Sequence, residues 1–410
     1  MSARGRFWMM LLLVLFALEV IDHGALASGR GLLQNTNLGG GGGICSAAVE
    51  PHGYKCQEFQ VTTEDGYILK MIRIPEGRTA GGGGGNRPPV LLQHGVLVDG
   101  VTWLLNSPEQ SLATILADGG FDVWISNTRG TRFSRNHLHL HSSYPEYWDW
   151  TWDDLVSQDL PAVVGLVFQH TGGQKLHYVG HSLGTLIALA SFSQGKLVDK
   201  VRSAVLLSPV AYLSHMTTAL GVVAARAFIG EITTIFGLSE FNPTEKAVAN
   251  FLRALCAGSG IDCYDLMTAF TGKNCCLNAS TVQLFLQNEP QSTATKNLVH
   301  LAQTVRGGIL SKFDYGNANA NMAHYGESRP PVYDLSKIPR DLPLFFSYGG
   351  QDALSDTMDV ATLLDSLKLH DVGKLHVQYV KEYAHADFIL GVTAKDIVYN
   401  QIVAFFRNQN

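Results

Sequence analysis

A serine in this sequence has the surroundings of a catalytic nucleophile. Residues 180–184 are Gly-His-Ser-Leu-Gly, a G-x-S-x-G motif that directly follows an apolar run at 176–179 and directly precedes a predicted helix at 184–193. A strand, a sharp turn and a helix in this order expose the serine hydroxyl, and the flanking glycines are needed because a Cβ would collide with neighbouring backbone. The motif predicts that Ser182 attacks an acyl group.

A serine hydroxyl is a weak nucleophile at neutral pH, so it needs a base and a carboxylate that orients the base. Where this motif is used, the chain order is serine, acid, histidine. Asp352 follows a predicted strand at 344–348 and is the expected acid; Asp356 is the rival, since an aspartate in such a loop often only caps a helix. His385 follows a predicted strand at 377–380 and is the expected base.

The other histidines fit the role of base less well. His376 lies within a predicted strand, His370 precedes that strand, and His181 is directed away from the serine hydroxyl by the turn. We expect surface or aromatic-cluster positions for the remaining histidines, including His137, His139 and His141.

Acyl transfer by this mechanism also needs two backbone N–H donors for the oxyanion. One is expected from Leu183, at the N-terminus of the predicted helix, where the helix dipole favours negative charge. The other is expected from Val96, in the loop 93–97 after the first predicted parallel strand. His94 is expected to shape this loop without transferring protons; the alternative is that His94 and the following glycine only end a strand. This chemistry needs no metal and no cofactor.

The elements that must position these residues alternate between strand and helix. After a predicted hairpin over 56–62 and 67–74, short apolar runs predict strands and longer amphipathic runs predict helices. The predicted strands are 89–93, 121–125, 176–179, 201–207, 342–348 and 375–380, and the predicted helices are 111–117, 153–168, 184–193 and 396–407. This alternation indicates an α/β fold with a mostly parallel sheet flanked by helices.

The alternation breaks between residues 211 and 340, where helical periods dominate. We interpret this region as a helical cap or lid inserted between two parts of the sheet domain, 54–210 and 341–410. Its segment 216–236 is strongly apolar and is a candidate lid and lipid-contacting surface, with ordinary packing inside the cap as the alternative.

The N-terminus resembles a secretory signal. Arg4 and Arg6 precede an apolar run at 7–18, and Ala-Leu-Ala follows at 25–27. A transmembrane anchor is the alternative, but a spanning helix needs roughly 20 apolar residues and this run is shorter. We therefore predict a signal peptide over 1–27, a flexible glycine-rich segment over 28–53, and no integral membrane span. The predicted destination is secretion, with a vacuole-like or lysosome-like compartment as the alternative.

An oxidising compartment would permit disulfides among the six cysteines. Cys45 and Cys56 flank a short turn-rich segment and are expected to pair. Four further cysteines lie close together in the predicted cap and are expected to pair among themselves, because their spacing does not repeat the paired C-x-x-C of a zinc site. They are Cys256, Cys263, Cys275 and Cys276. Asn278 begins an Asn-Ala-Ser sequon and is a candidate glycosylation site.

Composition excludes several other classes. Hydrophobic residues make up 46% of the 410 residues and charged residues 16%, which permits a sizeable core and argues against disorder. The formal net charge is −5 and no long basic run occurs, so nothing indicates a nucleic-acid partner or charge-driven binding to an anionic membrane. The sequence leaves the oligomeric state open.

Several segments together resemble the acid lipase family of gastric and lysosomal lipases. The form His-Gly-Val-Leu-Val-Asp-Gly at 94–100 is most similar to its plant members, whereas the animal enzymes have glutamine at the position of Leu183. The resemblance extends from about residue 45 to the C-terminus. The segments that carry it are 92–95, 121–124, 127–130, 159–162 and 176–185, with Tyr325 and Pro330-Pro331 at the end of the predicted cap.

This resemblance implies an α/β-hydrolase core, a mobile lid and activity on acylglycerols or related esters at an oil–water interface. It implies the same triad, Ser182, Asp352 and His385, and the same oxyanion donors, Val96 and Leu183. A carboxylesterase of small soluble esters and a steryl-ester hydrolase are the enzymatic alternatives. A lipid binder that kept the fold without catalysis is the alternative from another class, and an epoxide hydrolase or dehalogenase is disfavoured because those enzymes use an aspartate nucleophile.

Overall fold

The computed structural model describes residues 43–78, 87–218, 239–243 and 266–409. The predicted signal peptide 1–27, most of the apolar segment 216–236, and two of the cysteines, Cys256 and Cys263, lie outside these residues.

The described core is a β-sheet. Its strands are β1 Gln57–Thr62, β2 Tyr67–Ile74, β3 Pro89–Gln93, β4 Asp122–Ser126, β5 Asn136–His137, β6 Leu176–His181, β7 Val201–Leu207, β10 Leu344–Gly349 and β11 Leu375–Val380; β8 Glu240–Phe241 and β9 Thr293–Ala294 form a separate pair. The strands of the sheet follow the order β1-β2-β4-β3-β6-β7-β10-β11, with the short β5 paired to β2. β1 and β2 form the predicted antiparallel hairpin, and β2 also pairs antiparallel with β4; from β4 to β11 all neighbours are parallel.

Helices cover both faces of this sheet, as the alternating pattern predicts. On β3, Leu91 packs into one apolar cluster while Val90 and Leu92 pack into another, because successive strand side chains point to opposite faces. The helices are α1 Leu112–Asp118, α2 Trp152–Asp154, α3 Leu160–His170, α4 Leu183–Ser193, α5 Leu266–Thr271, α6 Ala279–Asn288, α7 Thr295–Gly307, α8 Ala318–Tyr325, α9 Thr357–Ser366, α10 Asp387–Leu390 and α11 Asn400–Arg407. The first cluster includes residues of α3 and α4, and the second includes residues of α1 and α11. This arrangement confirms the predicted α/β-hydrolase fold class.

The chain between β7 and β10 contains α5, α6, α7 and α8, in agreement with the helical periods in the sequence. One of its contacts with the sheet domain is aromatic: the imidazole of His300, on α7, stacks on the indole of Trp152 with ring centroids 4.1 Å apart. We call this connection the insertion. In the described part of the chain, no helix combines the length and the apolar character needed to cross a membrane.

The last part of the predicted flexible segment 28–53 contains regular turns. Cys45–Val49 is a π-helical turn and Glu50–His52 is a 3₁₀ turn. Ile44 and Val49 are buried in the second apolar cluster, and a disulfide joins Cys45 to Cys56 just before β1. The glycine run dominates the composition of the segment 28–53. The residues after this run are nevertheless ordered, because burial of their apolar side chains offsets the loss of conformational entropy.

Candidate active site

The strained turn at Ser182 follows directly from the G-x-S-x-G motif. Its backbone has φ 55° and ψ −120°, a conformation that non-glycine residues rarely adopt, and its N–H donates to the carbonyl of Leu207 at 3.2 Å. A Cβ on Gly180 would lie 2.7 Å from the backbone of Gly184, and one on Gly184 would lie 2.5 Å from the carbonyl oxygen of Gln93. The two glycines therefore let β6 and α4 meet at the angle that presents the serine at the end of the strand.

The predicted oxyanion loop lies against this serine. A Cβ on Gly95 would be 2.9 Å from the Cβ of Ser182, so the loop after β3 reaches the serine because glycine stands there. Leu183 is the first residue of α4, where backbone N–H groups have no acceptor within the helix. Leu97, one residue after Val96, has φ 61°, which turns the chain away again.

His94 holds the oxyanion loop through both ring nitrogens. Nε2 accepts a hydrogen bond from the N–H of Thr128 at 3.1 Å, so Nδ1 carries the proton and donates to the carbonyl of Gly95 at 2.8 Å. Burial lowers the pKa of His94, which favours this neutral form. These contacts agree with the expected shaping role of His94.

The predicted base and acid lie in contact. The Nδ1 of His385 is 3.0 Å from each carboxylate oxygen of Asp352, and both side chains are buried. Asp352 also accepts N–H bonds from Leu354 at 2.9 Å and Ser355 at 2.8 Å. Burial disfavours the charged carboxylate, but His385 and these N–H groups outweigh burial and lower the pKa of Asp352. Asp352 is therefore held ionised beside the imidazole.

The rival acid has a different contact. Asp356 precedes α9, and its Oδ1 accepts the N–H of Met358 at 2.8 Å, which is the geometry of a helix N-cap. Within the described residues, the hydroxyl of Ser182 makes no hydrogen bond. The structure thus brings His385 and Asp352 into contact but does not show a hydrogen bond between Ser182 and His385.

His181 has a role that the sequence did not indicate. Its Nε2 donates to the backbone carbonyl of His385 at 3.0 Å, and the two imidazole rings lie 4.6 Å apart. Burial, assisted by the proximity of His385, lowers the pKa of His181 to about 3, so the ring is neutral at neutral pH. The turn predicted that this side chain points away from the serine hydroxyl, but no local signal showed that it contacts the loop of the base.

The insertion also supports the oxyanion loop. The N–H of Gln291 donates to the carbonyl of Leu97 at 2.7 Å, and Glu289 Oε1 accepts the N–H of Asp99 at 3.1 Å. Asp99 and Glu289 are 190 residues apart in sequence. No periodicity or motif could have predicted this hydrogen bond, because a hydrophobic pattern indicates which residues are buried but not which distant residue each of them contacts.

Two of the cysteines in the insertion lie near the loop of His385, the predicted base. Cys275 and Cys276 are joined by a disulfide, and their sulfurs lie close to a carboxylate oxygen of Asp387. This is the one group of potential ligands in the described ranges that is close enough to share a metal ion, and a disulfide offers no thiolate for that purpose.

The chain is similar to known lipases along most of its length. Residues 88–391 match the family described as alpha/beta hydrolase fold, and residues 45–107 match the partial alpha/beta-hydrolase lipase region. It is 58% identical to triacylglycerol lipase 2 of Arabidopsis thaliana, over 97% of this chain and 96% of that protein. It is 36% identical to gastric triacylglycerol lipase of Rattus norvegicus, over 86% of this chain and 88% of that protein.

The fold is also found in a solved structure of low sequence similarity. A soluble variant of monoglyceride lipase from Saccharomyces cerevisiae, in complex with a substrate analog, superposes with a TM-score of 0.57 at 14% identity and covers 86% of this chain and 95% of that one. At this identity the likeness concerns the fold alone.

Proposed function

The chain belongs to the acid lipase family of α/β-hydrolases and is a carboxylic ester hydrolase, and we propose that it cleaves acyl esters of neutral lipids, such as triacylglycerol, with Ser182 as the nucleophile. The observation that carries this proposal is the contact between His385 and Asp352 at the same carboxyl edge of the sheet where the strained turn presents Ser182. In an open parallel sheet, loops after the strands converge at this edge.

In the proposed reaction, Ser182 Oγ forms a bond to the ester carbonyl carbon while His385 Nε2 takes the hydroxyl proton. The ionised carboxylate of Asp352 accepts a hydrogen bond from the Nδ1–H of His385, which fixes the tautomer and stabilises the imidazolium without transfer of that proton. The N–H groups of Val96 and Leu183 hold the oxyanion, each worth about 10²–10³ in turnover. The bond to the leaving alcohol breaks as His385 protonates it, and water then releases the acid from Ser182 in the same way.

Neutral lipid is favoured over small soluble esters by two observations. Relatives at 58% and 36% identity are named triacylglycerol lipases. In the insertion, Leu284 and Leu286 on α6 are 39% and 54% exposed, which gives this helix apolar surface directed to solvent. Exposed apolar surface is suited to contact with a lipid phase. The carboxylesterase, the steryl-ester hydrolase and the non-catalytic lipid binder are the alternatives that an experiment must separate.

The test is hydrolysis of a panel that runs from soluble short-chain esters through steryl esters to triacylglycerol emulsion, by the native protein and by Ser182→Ala. We expect a rate that rises steeply when triacylglycerol exceeds its solubility, and a loss of about 10⁶-fold in Ser182→Ala. Activity confined to dissolved esters would identify a carboxylesterase. Activity confined to steryl esters would identify a steryl-ester hydrolase.

Labelling by a fluorophosphonate separates enzyme from binder. We expect one equivalent of label in the native protein and none in Ser182→Ala, because only an activated serine reacts. An unlabelled native protein that binds lipid would support the non-catalytic alternative.

We also propose that the chain is secreted through the signal peptide 1–27 and carries a glycan on Asn278. Asn278 is exposed, and its Oδ1 accepts hydrogen bonds from the N–H and hydroxyl of Ser280 at 3.0 and 2.9 Å, so that its amide nitrogen is directed elsewhere. When the chain is expressed in a eukaryotic secretory host, we expect protein in the culture medium whose N-terminal residue lies near position 28. Treatment with an N-glycosidase should increase its gel mobility, and Asn278→Gln should abolish that change.

A further inference from the structure

A buried carboxylate that the proposed reaction does not use lies two residues after the base. Asp387 is fully buried, and its Oδ2 accepts hydrogen bonds from the N–H groups of Ala384 at 2.8 Å and Cys275 at 3.2 Å. Its Oδ1 accepts the N–H of Cys276 at 3.1 Å. One side chain thus joins the loop of the base to the insertion, 112 residues away in sequence.

The backbone on both sides of the base is held by the same part of the insertion. The N–H of His385 donates to the carbonyl of Thr271 at 3.1 Å, and the N–H of Ala386 donates to Oδ1 of Asn274 at 3.2 Å. Three successive N–H groups, 384 to 386, therefore have fixed acceptors: Asp387, Thr271 and Asn274. We call residues 271–276 the clasp.

The clasp also contacts the loop of the acid. Gly272 forms an isolated β-bridge with Asp352, and the N–H of Ala353 donates to the carbonyl of Thr271 at 3.4 Å. The carbonyl of Thr271 is thus shared between the acid loop and the base itself. Any shift of the clasp would move both loops, and with them the contact between His385 and Asp352.

A carboxylate is a costly choice for a purely structural contact at this place. Burial raises the pKa of Asp387, and the nearby charge of Asp352 raises it further. The three N–H groups stabilise the anion and lower the pKa, but they do not outweigh burial. Ionised acceptors, however, form the strongest hydrogen bonds to backbone N–H groups and tolerate little displacement. The arrangement therefore favours fixed geometry over stability.

We propose that Asp387 is a positioning residue for the ester hydrolysis proposed above: its carboxylate fixes the backbone of residues 384–386 against the clasp, so that the imidazole of His385 faces Asp352 and Ser182. It does not touch the reacting atoms. Asn274 acts in the same way on a single N–H group.

The test compares Asp387→Asn and Asn274→Ala with the native protein on a soluble short-chain ester, well below the unfolding temperature. We expect Asp387→Asn to lower kcat about 10²-fold with KM changed by less than about twofold, because a small misplacement of the base affects the chemical step and not binding. We expect Asn274→Ala to lower kcat about threefold in the same manner. Displacement from Asp352 destabilises the imidazolium, so the acidic limb of the kcat/KM pH profile should move to lower pH.

Asp334→Asn is the matched control, because the exposed carboxylate of Asp334 accepts hydrogen bonds from Ser336 and pairs with Lys337, both in its own turn. This substitution should leave kcat and the pH profile unchanged. A folded Asp387→Asn with a lower melting temperature but native kcat and pH profile would overturn the proposal. If Asp387→Asn does not fold, Asn274→Ala decides, and native kcat and pH profile in that variant would overturn it equally. Native activity in Ser182→Ala would instead refute the proposed function.

Discussion

The two halves of the candidate site are built in different ways. The nucleophile half, β6 and α4 with Ser182 between them, takes its shape from neighbouring residues, and Gly180 and Gly184 make the sharp turn possible. The acid–base half consists of two loops that follow β10 and β11 and are held by the clasp, far away in sequence. The first half is a local motif, whereas the second is an assembly that depends on the insertion being in place.

This difference has a consequence for how the two halves respond to change. A local turn fails when one of its own glycines is replaced. An assembly held by hydrogen bonds from a separate segment also fails when that segment moves. Substitutions placed in each half separate these behaviours.

Among the substitutions that leave Ser182 in place, the largest effect is expected in the acid–base half, from Asp352→Asn. The amide cannot stabilise the imidazolium of His385 and favours the wrong tautomer, so kcat should fall by about 10⁴. Steady-state kinetics on a soluble ester measures this. Asp356→Asn is the control, because asparagine caps a helix about as well as aspartate and kcat should stay native. A larger loss in Asp356→Asn than in Asp352→Asn would show that the acid is misassigned.

The next effect is expected in the nucleophile half, from Gly184→Ala. The new Cβ would lie 2.5 Å from the carbonyl oxygen of Gln93 and 3.0 Å from that of His94, so it must push the turn away from the oxyanion loop. We expect a loss of about 10² in kcat and about 1–3 kcal/mol in the free energy of unfolding. Kinetics and urea unfolding measure the two effects.

Gly165→Ala provides the control for this glycine. It lies within α3 with open space around the position of a Cβ, and the same substitution should stabilise the protein by about 0.5–1 kcal/mol without changing kcat. Equal kinetics for Gly165→Ala and Gly184→Ala would contradict a steric role of the turn.

A smaller effect is expected from Gly95→Ala, in the predicted oxyanion loop that lies against Ser182. A Cβ there would be 2.9 Å from the Cβ of Ser182, a contact that a small shift of the loop relieves, so kcat should fall about 10-fold. Val96→Ala keeps the proposed N–H donor and should change kcat by less than about threefold. A greater loss in Val96→Ala would indicate that the side chain, and not the backbone, acts at this position.

The smallest effect concerns acid stability at the contact between the insertion and the sheet domain. Burial lowers the pKa of His300 to about 3, while the same residue titrates near 6.5 in the unfolded chain, so the unfolded state binds the extra proton. The free energy of unfolding therefore decreases as the pH falls from about 6.5 to about 3. Between pH 7.5 and 5.5 the native protein should lose about 1 kcal/mol more than His300→Gln.

Urea unfolding of both proteins at the two pH values measures this difference. Asp153 lies beside His300 and its pKa is raised to about 6 by burial, which acts in the opposite direction, but it is common to both proteins and cancels in the comparison. The same dependence on pH in both proteins would mean that His300 does not control acid stability.

Much of the sheet domain could be predicted from the sequence. The predicted strands 89–93, 201–207 and 375–380 have the bounds of β3, β7 and β11, and other elements differ by a few residues at their ends. For β3 and β7, short apolar runs between turns suffice for this because a buried parallel strand is apolar on both faces. β11 lies at the edge of the sheet and is largely exposed, and its apolar residues alternate with polar ones. The fold class, the lipase family and the ester hydrolase class are confirmed by the comparisons, whereas the domain boundaries and the roles of individual site residues remain predictions.

The contacts that the insertion and its neighbours make could not be predicted from the sequence. The clasp, the contact of Gln291 with the oxyanion loop, and the contact of His181 with His385 have no signature in local sequence. The ordered turn at Cys45–Val49 was missed for a related reason, since a glycine run beside it dominated the pattern while burial against the sheet domain decided its structure.

The sequence by itself determined the order of the strands and helices along the chain, the turn at Ser182 and the positions of an acid and a histidine after late strands. These features depend on residues that are neighbours in the chain, where periodicity and glycine sterics act directly. Only the tertiary structure decided which backbone groups hold His385 and the oxyanion loop in place. Hydrogen bonds between segments a hundred or more residues apart depend on how the insertion packs on the sheet domain, and that packing is a property of the whole chain.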